Sequence, residues 1–399
     1  MKYDLLKKHY YIDKSSDKAQ FEKYYHERFE NGVKLDFTVN GYQAFYVEDV
    51  DIFKTIIKIQ RMHEKITALA HKLPPIALGQ YAQRCLIDEI ILTNDIEGVY
   101  STRKEIGSVL ADLEKHDHKN RFFGLVNKYK MLNEQQRIDL KCSKDIRALY
   151  DELFYQEILV EDPNDLPDGE IFRKSIVKVT DATQRVFHEG LMPEEAIIEA
   201  MDKALNILNE DEMDIIIRTA LFHYMFGYIH PFYEGNGRMS RFISSYMLTQ
   251  EYHPLTGYKL SYVIKEDLAH YYRAFRDCNE KLNRGDLTPF ILMFVDVLKK
   301  MCDEIYEDLS QRYQDLTELS SHIQKLTDDS HVRDLYYVLL QAALFSEVGI
   351  PTNELLSLAK VSRPTLNKRL QTIEEKGLLI TQTLGNKGKY YQLDLNKLK

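Results

Sequence analysis

Cysteine is scarce in this 399-residue chain: only Cys85, Cys142, Cys278 and Cys302 occur, none at C-x-x-C spacing. That excludes a disulfide framework and a thiolate metal site, and predicts reduced, buried thiols in a cytoplasmic protein. No apolar run approaches the ~18 residues a membrane span needs, so no membrane contact is expected. The start, Met1-Lys2-Tyr3-Asp4-Leu5-Leu6-Lys7-Lys8, lacks a signal-peptide core and a small-residue cleavage site. Glycine (17) and proline (10) are sparse and clustered, and no internal repeat or low-complexity tract stands out. Positive charge is not in excess either. With 53 basic against 62 acidic residues the net charge is −9, which argues against a chain that is wholly a nucleic-acid binder. What is plentiful is apolar residue, 44%, enough for two or three domains with sizeable cores and too much for disorder.

The few breakers punctuate the chain. Lys72-Leu73-Pro74-Pro75 separates an N-terminal segment from a helical stretch expected to begin near Ala82, and Glu161 to Gly169 forms an acidic loop. Ser175 to Thr180 and Gln184 to His188 are short β-branched arms around a turn at 181–183, which reads as a hairpin. The rest up to about residue 330 has mainly helical periodicity. This divides the chain into a helical region 1–139, a core 140–300, a linker helix 301–330 and a tail 331–399.

The tail has its own pattern. A short helix carries Leu355, Leu356 and Leu358; a second starts after Ser362, with Pro364 in its first turn. Leu366, Leu370 and Ile373 share one side of that second helix. Two strand-like arms then flank a turn at 385–388. Helix, helix, hairpin is the signature of a winged helix-turn-helix. Arg363, Thr365, Asn367 and Lys368 on the second helix would face a DNA groove, and Lys387 in the wing would touch phosphates. Protein docking or dimerisation is the alternative use of such a module. Ten Lys and Arg stand against six Asp and Glu over 331–399, about +4, which leaves about −13 for the rest of the chain.

One segment carries most of the chemistry: His230-Pro231-Phe232-Tyr233-Glu234-Gly235-Asn236-Gly237-Arg238-Met239-Ser240-Arg241. It lies between two helical stretches. A Gly-Asn-Gly loop feeding a helix N-terminus offers free backbone N–H groups and the positive end of the dipole, an anion cradle. Arg238 and Arg241, three apart on that helix, suit a polyphosphate. Glu234 is a hard oxygen ligand beside the phosphate site, as Mg²⁺ requires. His230 is able to accept a hydroxyl proton near neutral pH.

Together these residues match H-P-F-x-[D/E]-G-N-G-R-x-x-R, a coincidence on the order of one in a hundred million at average composition. In this motif the chain resembles the Fic family over roughly residues 140 to 300. The resemblance implies a mainly helical catalytic core that transfers AMP from ATP to a Ser, Thr or Tyr hydroxyl of a target protein, the chain itself included. It implies His230 as general base and Glu234 as Mg²⁺ holder. Gly235, Asn236 and Gly237 would form the anion hole, Arg238 would hold phosphate, and Arg241 would grip the γ-phosphate. Phe232 is a buried anchor. The hairpin with Ile176, Val177, Lys178 and Val179 resembles the family's flap, which pins a target segment by adding a strand to it; an ordinary structural hairpin is the alternative. Tyr271 or Tyr272 would border the adenine, with core packing expected for at least one. Transfer of another phosphate-containing group stays open.

Upstream, Leu86, Ile90, Thr93 and Glu97 form one helical stripe, with Gly98 as the helix end. A carboxylate on an inward stripe needs a cationic partner. Thr93 to Gly98 resembles the inhibitory motif [S/T]-x-x-x-E-[G/N] of many Fic proteins. There the glutamate pairs with the second arginine of the loop, here Arg241, and denies it to the γ-phosphate. The same resemblance leaves open that Glu97 positions a water for AMP removal, and that the chain self-associates.

Overall fold

The computed structural model describes residues 3–113, 120–134, 136–180, 186–383 and 388–398. The chain is mainly helical and divides into two compact units. The first comprises Met1–His63 and Ile87–Cys302, the second Glu64–Leu86 and Asp303–Lys399.

The first unit starts with α1 (Leu6–Ile12) and α2 (Ala19–Glu30), followed by an antiparallel hairpin of β1 (Val33–Val39) and β2 (Tyr42–Tyr46). Asn40 and Gly41 turn that hairpin at φ +51° and +83°, the conformation a two-residue turn needs. The long helix α3 (Val50–Ala70) comes next, then α4 (Pro75–Ile96). From sequence α4 was placed near Ala82; it starts earlier, because Pro75 is well suited to a first helical position, where its fixed φ helps and its missing N–H costs nothing.

α5 (Arg103–Asp112), α6 (Phe123–Asn133) and α7 (Ser143–Glu161) lead to a two-stranded antiparallel sheet of β3 (Lys178–Thr180) and β4 (Val186–Glu189). α8 (Glu194–Leu208), α9 (Ile215–Ile229), α10 (Asn236–Glu251), α11 (Leu260–Glu266) and α12 (Leu268–Asn279) follow. α9 forms the centre of this unit. Its residues are apolar nearly all round and all but Gly227 are buried, as expected of a helix covered on every side. α8 and α10 both pack on α9, and α6 packs on α7.

α13 (Thr288–Ile323) is one 36-residue helix, so no break in secondary structure marks position 300. In the second unit, α14 (Ser330–Phe345), β5 (Ile350–Pro351), α15 (Thr352–Ala359), α16 (Arg363–Glu375), β6 (Leu379–Thr383), β7 (Lys389–Leu393) and α17 (Leu395–Leu398) follow. The sheet order is β5-β7-β6, both pairings antiparallel. Leu366, Leu370 and Ile373 are the buried face of α16. Among the described residues no helix is long and apolar enough to cross a membrane.

Candidate active site

The site is built where α9 ends and α10 begins. His230 caps α9 in the left-handed region (φ +52°, ψ +63°), its N–H donating to Phe226 O at 2.9 Å. A non-glycine residue takes that conformation only when its surroundings hold it. Here Arg173 Nε donates to His230 O at 2.9 Å, and Phe232 anchors the next turn. Phe232 is fully buried and stacks on Tyr150 with centroids 3.7 Å apart. The Asn236 side chain brackets it: Phe232 N–H donates to Asn236 Oδ1 at 3.0 Å and Asn236 Nδ2 donates to Phe232 O at 2.8 Å. Gly235, at φ +84°, is the N-cap of α10, and no side chain caps the first turn. The backbone N–H groups of Asn236, Gly237 and Arg238 therefore form the open positive end of the helix.

Both arginines of α10 are buried, and they do different things. Arg238 has no exposed surface; its Nη1 pairs with the equally buried Glu157 of α7 and lies 3.3 Å from Asn94 Oδ1. Its Nη2 lies 3.5 Å from Glu234 Oε1. Arg238 thus links the loop to α7 and α4 through Glu157 and Asn94. Arg241 faces α4 instead. Its Nε donates to Thr93 Oγ1 at 2.8 Å, and its Nη2 donates to Thr93 O at 3.0 Å and Glu97 Oε1 at 2.7 Å. Glu97 is presented by the end of α4, where Val99 N–H bonds Asn94 O, Gly98 N–H bonds Asp95 O, and Gly98 has φ +78°. That is a Schellman ending, for which glycine suits the left-handed position. The Glu97 carboxylate rests on Gly237: a Cβ there would lie 2.1 Å from Glu97 Oε1. An anionic oxygen thus already sits at the mouth of the cradle.

The His230 imidazole is held neutral at physiological pH. Burial, then the nearby His188 and Arg173, push its pKa down to about 4, with Glu97 opposing. Glu234 moves the other way. Burial raises its pKa, Glu161, Asp165 and Glu97 add to the rise, and Arg238 opposes it. Its side chain is 36% exposed, so one carboxylate surrounded by further negative charge faces the opening. Among the described residues no group of three or more His, Cys, Asp or Glu side chains gathers at a metal-like spacing. A single carboxylate fits a Mg²⁺ that takes most of its shell from phosphates and water, and does not fit a resident all-protein metal site.

Residues 140–248 match the Fic/DOC family. The Fic/DOC segment spans α7 to most of α10, including Glu157, the β3–β4 hairpin and the whole His230–Arg241 loop, while Thr93 and Glu97 lie before it. The protein adenylyltransferase Fic of Drosophila ananassae is 30% identical over 107 residues, 27% of this chain and 20% of that one. Its Drosophila melanogaster counterpart is 25% identical over 239 residues, 57% of this chain and 43% of that one. The chain thus matches less than half the length of these relatives. A crystal structure of a Fic family protein from Desulfovibrio desulfuricans G20 superposes with a TM-score of 0.56 over 89% of this chain and 99% of that one, at 20% identity, which shows a shared fold.

Within the Fic/DOC segment the hairpin is shorter than the sequence suggests. Lys178 and Val179 lie on β3, in register with Glu189 and His188 of β4. Ile176 and Val177 precede the strand, Val177 O accepts from Gly190 N–H at 3.0 Å, and Ile176 is 53% exposed. The strand starts late because Ser175 is engaged elsewhere: its O accepts from Arg173 Nη1 at 2.6 Å and its N–H donates to Tyr233 Oη at 3.0 Å. The turn at 181–183 and the Gln184 end of the second arm lie outside the described residues.

Tyr271 is a core residue, its hydroxyl 2.7 Å from His223 Nε2; Tyr271 and Tyr272 are both near enough to Glu97 and Arg241 for those charges to act on them. In the second unit Arg363, Thr365, Asn367 and Lys368 are all exposed on α16, and Lys387 lies outside the described residues. Ser362 is the N-cap of α16, but its Oγ bonds Thr365 Oγ1 at 3.0 Å rather than a backbone N–H.

Three site residues escaped sequence reasoning. Glu157 follows Tyr150 and Phe154 on the buried stripe of α7, the same carboxylate-on-an-inward-face signal that singled out Glu97. Asn94 and Arg173 carry no such pattern.

Proposed function

We propose that this protein transfers AMP from ATP to a hydroxyl of a protein target, and that Glu97 restrains the reaction by holding Arg241. The observation that carries this reading is the Glu97 carboxylate seated on Gly237 and bonded to Arg241 at 2.7 Å. A phosphate would seek that same pair of groups, a helix N-terminus and a guanidinium.

The chemistry follows from the residues. ATP would lay its phosphates along the first turn of α10, the γ-phosphate taking Arg241 once Glu97 withdraws. The neutral His230 accepts the proton of the incoming Ser, Thr or Tyr hydroxyl, whose oxygen attacks the α-phosphorus. The bond from that phosphorus to the α,β-bridging oxygen breaks and pyrophosphate leaves with the electron pair. Mg²⁺, held by Glu234, would neutralise phosphate charge during this step. Lys178 and Val179 on β3 would pair with an extended target segment, since among the described residues β3 pairs with β4 alone. Arg238 supports Glu234 and the loop rather than touching phosphate in the restrained state.

Incubation with α-³²P-labelled ATP and Mg²⁺ tests this. Glu97→Gly should incorporate label into itself or into proteins of a cell lysate at least about tenfold faster than wild type. Adding His230→Ala should abolish the gain. Equal labelling by wild type and Glu97→Gly overturns the restraint.

A second reading concerns α16. Arg363 and Lys368 are exposed and make no ion pair among the described residues, in a tail of about +4. We propose DNA binding by a winged helix as a separate activity of the second unit, which these exposed cations support.

A further inference from the structure

Arg173 is fully buried, and among the described residues no carboxylate lies within ion-pair distance. A buried cation ordinarily has a buried anion. Here the guanidinium donates to three backbone carbonyls from three segments: Ser175 O at 2.6 Å, Leu191 O at 3.0 Å and His230 O at 2.9 Å. Its Nη1 also lies 3.3 Å from Met192 Sδ, and its own backbone N–H donates to Pro231 O at 3.3 Å. Ser175 and Leu191 are the two roots of the β3–β4 hairpin, and His230 is the turn out of α9. The approach is close: a Cβ on Gly190 would lie 2.3 Å from Arg173 Nη2 and 3.1 Å from His230 Cβ. A planar fork with five donors reaches three diverging carbonyls at once; the single ammonium of lysine does not.

We propose that Arg173 is a positioning residue that locks the β3–β4 hairpin and the His230 turn into one unit, so that a segment held on the hairpin edge meets the imidazole in register. This rests on the proposed AMP transfer for its purpose, though not for its geometry. The charges facing His230 are consistent with it. Arg173 and His188 of β4 both favour the neutral ring, while Glu97, just past the end of α4, and a hydrogen bond at the Gly227 backbone oppose them.

Three variants of the full chain, Arg173→Lys, Arg173→Gln and Gly190→Ala, test the lock. Gly190→Ala leaves the arginine intact and wedges it apart from the hairpin, so it guards against a charge change that merely unfolds the protein. Backbone amide exchange at residues 176–179 and 188–190 should accelerate about tenfold or more, while exchange in α7, α9 and α10 stays within about twofold of wild type. The His230 imidazole, followed by ¹³C NMR, should titrate at higher pH in Arg173→Gln than in wild type. ATP affinity, measured in the Glu97→Gly background, should change less than about twofold, because Arg173 touches no group of the cradle. Unchanged exchange in the hairpin overturns the proposal. So does acceleration spread equally through α7, α9 and α10, or an unmoved His230 titration. If Glu97→Gly binds no ATP, the functional reading fails, while exchange and titration still decide the role of Arg173.

Discussion

His230 ends α9 with a left-handed backbone and a ring held neutral, and both properties come from neighbours rather than from histidine itself. Arg173 bonds its carbonyl; burial, His188 and Arg173 depress its pKa to about 4, against an ordinary value near 6.5. The sign is that of a base whose charged form is disfavoured. The ring stays deprotonated as pH falls through 6.5 and gains its proton only near 4. In Glu97→Gly, transfer limited by this base should persist to about pH 5, and the ¹³C titration of His230 should move lower still, because the opposing negative charge is gone. A midpoint near 6.5 would contradict this. The residues at the loop were legible because the motif is dense. The pKa was not, since a lone histidine in sequence carries no sign of what surrounds it.

α7, α4 and α10 are joined by one buried network in which Arg238 is the hub. Glu157→Gln would leave that guanidinium without its main counter-charge, at a cost of about 3–5 kcal/mol. Urea denaturation should show the loss, and Glu157→Leu combined with Arg238→Met should recover much of it; a Glu157→Gln protein as stable as wild type would refute the brace. Elements were legible in proportion to their periodicity. The end of α4 could be read from Gly98, and the apolar stripe of α16 from Leu366, Leu370 and Ile373. The β1–β2 hairpin has a weaker signal, an Asn40-Gly41 turn between short alternating apolar arms. The start of β3 was placed three residues early because tertiary bonds to Arg173 and Tyr233, not local propensity, decide where Ser175 goes. The span of Pro75 to Ala82 shows the reverse, a proline read as a separator that in fact opens a helix.

Across the whole molecule, the net charge of −9 hides an acidic body and a tail of about +4. If α16 meets DNA through Arg363 and Lys368, together with Lys389 of β7, binding by the full chain should weaken with salt. The log–log slope should be about −3, and Arg363→Gln should make it shallower by about one. Mobility shift at two or more salt concentrations reads this, and salt-independent binding, or none, contradicts it. The difference in charge between the tail and the rest was visible in the sequence alone. The two-unit boundary was not, since it falls inside α3, α4 and α13, where helical periodicity continues without a mark.

The central claim is that Glu97 and a γ-phosphate compete for Arg241, and nucleotide affinity tests it most directly. Binding of ATP and ADP with Mg²⁺, measured by calorimetry on wild type and Glu97→Gly, isolates the γ-phosphate. The account predicts that wild type binds the two nearly equally and that Glu97→Gly favours ATP by about tenfold, roughly 1.4 kcal/mol. The same ATP-to-ADP ratio in both proteins would contradict it.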